Sequence, residues 1–386
     1  MRKISILDTT LRDGEQAPQN AMNPKQKLNL ALELEALGVN HIETGFPASS
    51  KFDFEATKLI SQELTLSGIA TFSRTLEKDV QLAFDAAGRS KNHTIQIVAT
   101  GSDIHLRNKR NITRAQSIDE MMNTVRFVYQ NSDCRISVGI EDASRANYDF
   151  MKEMAHAAVD AGANQIILAD TTGFSSPFEF GNLIRFIKSE VGENISVSTH
   201  CHNDLGLALA NTLAGIEAGA DEVQVTLGGI GERAGNVSLE TVASTLFFKR
   251  DIYHVYTDII LSKLYNVYQL LCSTIFMDTA RNQPIFGPYV FGTAAGIHQH
   301  GILADPNTYE FVKPNIFNRQ RELFVSRHSG KSIIKHLLDK KGIAAKPKLL
   351  DDLYENCINN RFENTCLTLS ELEIKVESFV SQYSRD

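Results

Sequence analysis

The feature that most constrains this chain is a rhythm: over its first 250 residues, short runs rich in Ile, Val and Thr alternate with longer stretches of helical period. Eight runs read as buried strands: Ile4 to Asp8, His41 to Thr44, Ile69 to Phe72, Thr94 to Ala99, Arg135 to Ile140, Gln165 to Ala169, Ser196 to His200 and Glu222 to Thr226. In the intervening stretch from Pro24 to Leu37, Leu28, Ala31 and Leu32 fall on one apolar stripe, Pro24 occupies a tolerated first-turn position, and Asn23 is placed to cap. Gly38, Gly162 and Gly219 stand where a helix must end before the next strand. Strands separated by helices cannot pair as hairpins and must run parallel, and eight such units predict a closed (β/α)8 TIM barrel. An open doubly wound sheet would carry a Gly-rich turn after its first strand, where this chain has Asp-Thr-Thr-Leu-Arg-Asp.

From about residue 250 the rhythm becomes helical, with Ile259 to Phe276 the longest candidate, followed by a Gly- and Pro-containing stretch from Gln283 to Gly296. The expected organisation is a catalytic barrel over 1–280, a linker and first subdomain over 281–335, and a small helical subdomain over 336–386, whose tail from Leu369 has helical period.

Composition narrows the function classes. With 42% hydrophobic and 22% charged residues, the chain has the material for a sizeable core. The 39 Lys and Arg against 46 Asp and Glu give a net charge of −7, which offers no global basic field for nucleic acid or an anionic membrane, so neither is an expected partner. Five cysteines without a CxxC pair suggest neither a disulfide framework nor a thiolate zinc site. The N-terminus reaches acidic residues before any apolar run of signal-peptide length, and no stretch is apolar enough to span a membrane; a reducing cytoplasm is the expected compartment.

In such a barrel the active site lies at the C-terminal ends of the strands. Arg12 and Asp13 follow the first strand, Glu43 ends the second, Glu141 and Asp142 follow the fifth, Asp170 and Thr171 follow the sixth, and His200 and His202 end the seventh. The segment THCHND (199–204) is the most specific local signal. Residues two apart on a strand share a face, so His200 and His202 can converge on one metal while Cys201 points away as a small buried residue. The loop LGGIGERAGN (227–236) sets Glu232, Arg233 and Asn236 among glycines, and Asn236 can offer an amide oxygen. Asp13, His200, His202 and Asn236 together form a mixed oxygen and imidazole set suited to a divalent Zn, Mn, Mg or Co ion, which would polarise a carbonyl.

The segments LDTTLRDGEQAP (7–18), HCHND and GIGERAGN resemble those of the 2-isopropylmalate synthases and homocitrate synthases, metal-dependent barrel enzymes that condense acetyl-CoA with a 2-keto acid. The likeness continues through GFPASS (45–50), EDASR (141–145), GIHQ (296–299) and SRHSGK (326–331) and so spans nearly the whole chain. It implies that Asp13, His200 and His202 are metal ligands with Asn236 near or in the first shell. It implies that Arg12 balances charge on the keto oxygen, that Thr171 binds the substrate carboxylate, and that Gln16 and Glu43 are polar positions of the same pocket. Glu141 and His298 become the candidates for proton transfer, and a linker that covers the partner's site implies a homodimer.

The resemblance leaves the keto acid to be chosen. At the fourth strand, HTIQIVAT (93–100), an ungapped alignment puts Ile95 where isopropylmalate synthases carry a pocket histidine; on the fifth, Ser137 falls where lysine-pathway homocitrate synthases carry an arginine for a distal carboxylate. SVGIEDASRA (137–146) resembles nitrogen-fixation homocitrate synthases, and SDIHLRNKR (102–110) holds basic residues able to receive an acid. GFPASS and GIHQ point to isopropylmalate synthase, so 2-oxoisovalerate is the expected substrate, with 2-oxoglutarate (homocitrate synthase) and pyruvate (citramalate synthase) as alternatives. A CoA-ester lyase on the same barrel is disfavoured because sister lyases carry a cysteine in the loop after strand eight and this loop has none. A non-catalytic metal-binding scaffold is disfavoured by the set of Arg12, Glu141 and His298. Common isopropylmalate synthases continue into a leucine-binding domain, and leucine inhibition is not expected of the chain as given.

Overall fold

The structure, a computed structural model, describes residues 1–360 and 366–383. It divides into two compact units, Met1–Met277 and Asp278–Asp386.

The first unit is a closed barrel of eight parallel strands in sequence order: β1 (Ser5–Asp8), β2 (His41–Glu43), β3 (Gly68–Arg74), β4 (His93–Thr100), β5 (Arg135–Glu141), β6 (Gln165–Asp170), β7 (Ser196–Cys201) and β8 (Glu222–Val225), with β8 pairing back onto β1. The strands fall on the eight runs read from the sequence, displaced by a residue or two at their ends. Helices α1 (Pro24–Leu37), α2 (Lys51–Glu63), α3 (Glu77–Ala87), α4 (Arg114–Asn131), α5 (Tyr148–Ala161), α6 (Pro177–Val191), α7 (Ala208–Glu217) and α8 (Leu239–Phe248) follow the successive strands, and α9 (Leu261–Ile275) packs on α1.

Local chemistry sets the helix ends. Asn23 and Gln26 form a reciprocal capping box at the start of α1, with Pro24 at its first position, and Ser176 and Glu179 do the same for α6. Gly38 ends α1 at φ +96°, where a Cβ would stand 2.4 Å from the Asp258 carbonyl oxygen. The core between strands and helices is aliphatic, with Ile42, Ile95, Ile97, Val138, Ile140, Ile166 and Val197 fully or almost fully buried. The lower barrel interior is polar: Ser137 Oγ donates to Gln165 Oε1 at 2.6 Å, and Gln165 Nε2 and Ser198 Oγ donate to Glu222 Oε1. Ser137, Gln165, Ser198 and Glu222, all buried, thereby find partners in one another.

A two-residue parallel pairing of Arg2–Lys3 with Val255–Tyr256 lies outside the barrel. In the second unit, α10 (Gly296–Ala304), α11 (Lys331–Lys340), α12 (Pro347–Tyr354) and α13 (Leu369–Tyr383) accompany a three-stranded sheet of β9 (Gly292–Thr293), β10 (Glu322–Val325) and β11 (Leu367–Thr368). The subdomain read as helical therefore also holds a small sheet. Its strands are two to four residues long, too short to show an alternation. Ile333, Ile334, Leu337, Leu338, Leu353, Ile358, Leu372 and Val376 form its own buried core.

Candidate active site and metal centre

A cavity of about 250 Å³ opens at the C-terminal ends of the strands, lined by Arg12, Asp13, Gln16, Glu43, Glu141, Thr171, His200 and His202, with Phe72, Gln96, Val98, Gly139, Ile167, Ala169, Gln224, Glu232 and Arg233 completing the wall. Eight of the ten residues given a metal-binding, substrate-binding or proton-transfer role thus meet in one place. Asn236 lies beside the cavity: its backbone bridges His202, and its Nδ2 donates to the Ile230 carbonyl at 3.2 Å. His298 belongs to the second unit, on α10, where its exposed side chain packs at a tilt against Tyr309, 4.2 Å between ring centroids.

Asp13, His200 and His202 form a compact, buried donor set. Asp13 Oδ2 lies 3.2 Å from His200 Nε2 and 3.6 Å from His202 Nε2, and the two Nε2 atoms are 3.2 Å apart. Donors about 2.0–2.2 Å from a common ion stand at roughly these mutual separations. Asp13 Oδ2 is buried without a hydrogen-bond donor, an arrangement costly for a carboxylate unless a cation takes it up. The donor set therefore fits a divalent metal.

The tautomer of His200 follows from its neighbour. His200 Nδ1 lies 2.9 Å from Gln224 Oε1, which accepts the ring proton and leaves Nε2 with a lone pair for the centre. Gln224 Nε2 in turn donates to Gln96 Oε1 at 2.8 Å across the barrel axis, from β8 to β4. Burial pushes the His202 imidazole down to about 4, against the pull of Asp13, so it is neutral as a ligand must be. Burial alone would raise Asp13, but the Arg12 guanidinium leads the neighbours that outweigh it and hold the carboxyl well below the usual carboxylate range.

Arg12 is clamped. Its Nε lies 2.9 Å from Glu43 Oε2, its Nη1 3.5 Å from Asp13 Oδ1, and its guanidinium covers the Phe72 ring at 5.1 Å. Glu43 Oε2 also accepts from Thr9 Oγ1 at 2.5 Å, so Glu43 orients the arginine. Burial would lower Arg12, but Glu43 and Asp13 more than offset it and hold the guanidinium charged. Thr171 Oγ1 accepts the Asp142 N–H at 2.9 Å, which keeps its own O–H proton for the cavity. The Gly-containing loop after β8 is pinned: Arg233 bonds Asp204 at 2.8 and 3.0 Å and the Thr171 carbonyl at 2.6 Å. Gly235 takes φ +82°, where a Cβ would stand 1.9 Å from the Gly229 carbonyl oxygen.

Several expectations are corrected here. The β4 residues facing the cavity are Gln96 and Val98; Ile95 is fully buried on the opposite face. On β5 they are Gly139 and Glu141, while Ser137 lies deeper in the barrel, bonded to Gln165. The basic segment 102–110 sends no cation into this cavity: Lys109 bonds Glu141, Arg110 bonds Glu120, and Arg107 bonds the Asp103 carbonyl. Asp170 is occupied structurally, accepting from Ser144 Oγ, the Phe174 N–H and Asn211 Nδ2. Cys201 points away from the centre and is fully buried, which pushes its thiol far up. Gln224 and Gln96 were not signalled by the sequence, since a neutral amide inside a strand has no motif of its own.

Residues 3–271 match the family described as HMGL-like, and residues 285–375 match the homocitrate synthase post-HMGL domain-like family. The 2-isopropylmalate synthase of Sediminispirochaeta smaragdinae is 39% identical over 361 residues, which cover 92% of this chain and 71% of that one. That of Bacillus pumilus is 35% identical over 384 residues, covering 99% and 73%. Among solved structures, the hydroxymethylglutaryl-CoA lyase of Pseudomonas aeruginosa is similar at a TM-score of 0.63 and 20% identity, over 72% of this chain and 94% of that one. The HMG-CoA lyase of Brucella melitensis gives 0.61 and 17%, over 72% and 100%.

Proposed function

The chain belongs to the HMGL-like family, and we propose that within it the protein is a 2-isopropylmalate synthase, an acyltransferase that condenses acetyl-CoA with 2-oxoisovalerate and releases CoA. The observation that carries this reading is the division of the cavity into a polar and an apolar side. Asp13, His200, His202, Arg12 and Thr171 gather where an oxo acid would present its ketone and carboxylate, while Phe72, Val98, Gly139, Ile167 and Ala169 form an aliphatic and aromatic wall. The lining cations, Arg12 and Arg233, are engaged by Glu43 and Asp204. A second substrate carboxylate against the apolar wall would be poorly compensated, which favours a branched aliphatic side chain over that of 2-oxoglutarate.

A divalent ion held by Asp13, His200 and His202, with Asn236 at its edge, would supply a Lewis acid for the oxo acid's carbonyl. The protein's residues do the rest. Thr171 donates its hydroxyl proton to the substrate carboxylate, and Gln16 offers an amide beside it. Glu141 removes a proton from the acetyl methyl, and the methyl carbon bonds to the keto carbon. The keto π electrons move to oxygen, where Arg12, a fixed cation oriented by Glu43, stabilises the developing alkoxide. Water then cleaves the thioester, giving the carboxylate and the CoA thiol, and the proton freed in that hydrolysis converts the alkoxide to the product hydroxyl. His298 is assigned to proton transfer within a homodimer, supported by the resemblance of GIHQ and by its exposed imidazole on α10.

The test is product analysis after incubation with acetyl-CoA, 2-oxoisovalerate and a divalent metal. A new species with the mass and chromatographic behaviour of 2-isopropylmalate, formed one for one with free CoA, is expected. CoA release without that product would refute the assignment.

A further inference from the structure

Glu141 ends β5, and the helical segment that follows β4, residues 102–110, holds it from two sides. Lys109 Nζ donates to Oε1 at 2.5 Å, and His105 Nδ1 lies 3.4 Å from Oε2. His105 stands between two carboxylates, since its Nε2 is 3.7 Å from Asp142 Oδ2, and fully buried Asp142 is itself bonded by Arg145 Nε at 2.8 Å. His105 Nδ1 is buried and makes no hydrogen bond, so its approach to Glu141 is a contact between a ring nitrogen and a carboxylate oxygen.

The segment is built to hold this arrangement. The Gly101 N–H donates to the Glu141 carbonyl at 2.9 Å, and a Cβ on Gly101 would stand 2.5 Å from Ile140 Cγ2 and 2.9 Å from that same carbonyl oxygen. Fully buried Ser102 caps the turn by accepting the His105 N–H at 3.2 Å, Leu106 is buried beneath it, and Arg114 grips Asp103 with two bonds at 2.8 and 2.7 Å. The backbone therefore sets where the two side chains meet Glu141.

We propose that His105 and Lys109 are positioning residues for Glu141, fixing its carboxylate at the rim of the cavity so that it can reach the proton of the acetyl methyl. This rests on the role given to Glu141 above. A general base must come within hydrogen-bond reach of the proton it takes, so side chains that fix where the carboxylate stands act on turnover through it. The other charged groups around the cavity are engaged elsewhere: Arg12 with Glu43, Arg233 with Asp204, and Asp13 with His200 and His202. Glu232 adds a further negative charge to the lining. Lys109 is the cation that touches Glu141.

The experiment compares Lys109→Met, Lys109→Arg and His105→Gln in the full metal-loaded protein, reading kcat and both KM values against pH by thiol release. Lys109→Met is expected to lose about tenfold or more in kcat at neutral pH. KM for the oxo acid should be unchanged. Lys109→Arg, which keeps a cation in reach of Glu141, should restore most of kcat, and His105→Gln should lower kcat with both KM values unchanged. A Lys109→Met profile that superposes on the wild type overturns the proposal, as does a loss confined to KM for acetyl-CoA, which would assign Lys109 to the phosphates of CoA. Metal content and circular dichroism of each variant, with Lys109→Arg as reference, keep misfolding apart from either result. Glu141→Gln separates the two levels: full turnover in it refutes Glu141 as the base, whereas an inactive Glu141→Gln beside a Lys109→Met of wild-type kcat refutes the positioning role alone.

Discussion

Replacing Gln224 by Leu, which leaves all four proposed ligands in place, tests whether the metal centre depends on the amide behind it. The wild-type side chain accepts from His200 Nδ1 at 2.9 Å and donates to Gln96 Oε1 at 2.8 Å, both in the buried barrel interior. Leu fills a similar volume but offers neither bond. His200 then loses the acceptor that keeps its proton on Nδ1, so the tautomer with a free Nε2 is no longer favoured and the ring is freer to turn. Loss of such an outer partner weakens metal binding by about 10–100-fold, or about 1.4–2.7 kcal/mol. The buried Gln96 Oε1 left without its donor costs the metal-free fold about 1–3 kcal/mol in addition. Competition against a chromophoric chelator for Zn or Mn measures the first, and urea denaturation of the metal-free protein the second. Gln224→Glu keeps an acceptor for His200, and Gln96 can turn its amide to donate, so affinity within about threefold of wild type is expected. Metal affinity of Gln224→Leu within twofold of wild type would refute the account of how His200 is held.

Three further outcomes are expected. Arg12→Ala should retain stoichiometric metal yet lose about 10²–10³-fold in kcat, the scale of a lost alkoxide-stabilising donor; turnover at the wild-type rate, read by thiol release, would remove the role given to Arg12. Asp13→Ala should lose metal and activity together, measured by metal analysis of the purified protein, and a variant that keeps bound metal would exclude Asp13 as a principal ligand. His93, buried at the start of β4 with Nδ1 on the Gly88 carbonyl and Nε2 on Thr71 Oγ1, is pushed down to about 4 by burial, against the pull of Gly88. Its unfolded form takes up a proton below about 6.5, so its contribution to stability is full above that pH and declines as pH falls toward 4, by about 2 kcal/mol at pH 5. In urea denaturation at pH 7 and pH 5, His93→Gln should show a smaller acid loss than wild type by about that amount, and equal losses would refute this accounting.

What could be read from the sequence depended on how locally each feature is encoded. The barrel strands are runs of β-branched residues separated by helices, and such runs carry their signal within themselves. The same holds for Asn23 with Pro24 and for the glycines at 38, 162 and 219, which mark helix ends by their own backbone chemistry. His200 and His202 could be placed on one face because strand parity is fixed. Parity also decides β4, where Gln96 faces the cavity and its neighbour Ile95 is buried on the other face. The amide bridge between Gln96 and Gln224 joins residues 128 apart in sequence, and the clamp of Lys109 on Glu141 joins two elements 32 apart. Neither has a local signature, and each becomes visible once the barrel closes. The sheet of the second unit escaped for the opposite reason, since strands of two to four residues are shorter than the period that would reveal them.

The measurement that bears most directly on the central claim is kcat/KM by thiol release for 2-oxoisovalerate, 2-oxoglutarate, pyruvate and 2-oxobutyrate, each with acetyl-CoA and saturating divalent metal. The apolar wall of Phe72, Val98, Ile167 and Ala169 leads us to expect 2-oxoisovalerate to be favoured, with 2-oxoglutarate the poorest of the four. A clear preference for 2-oxoglutarate, or no CoA release with any of them, would contradict it.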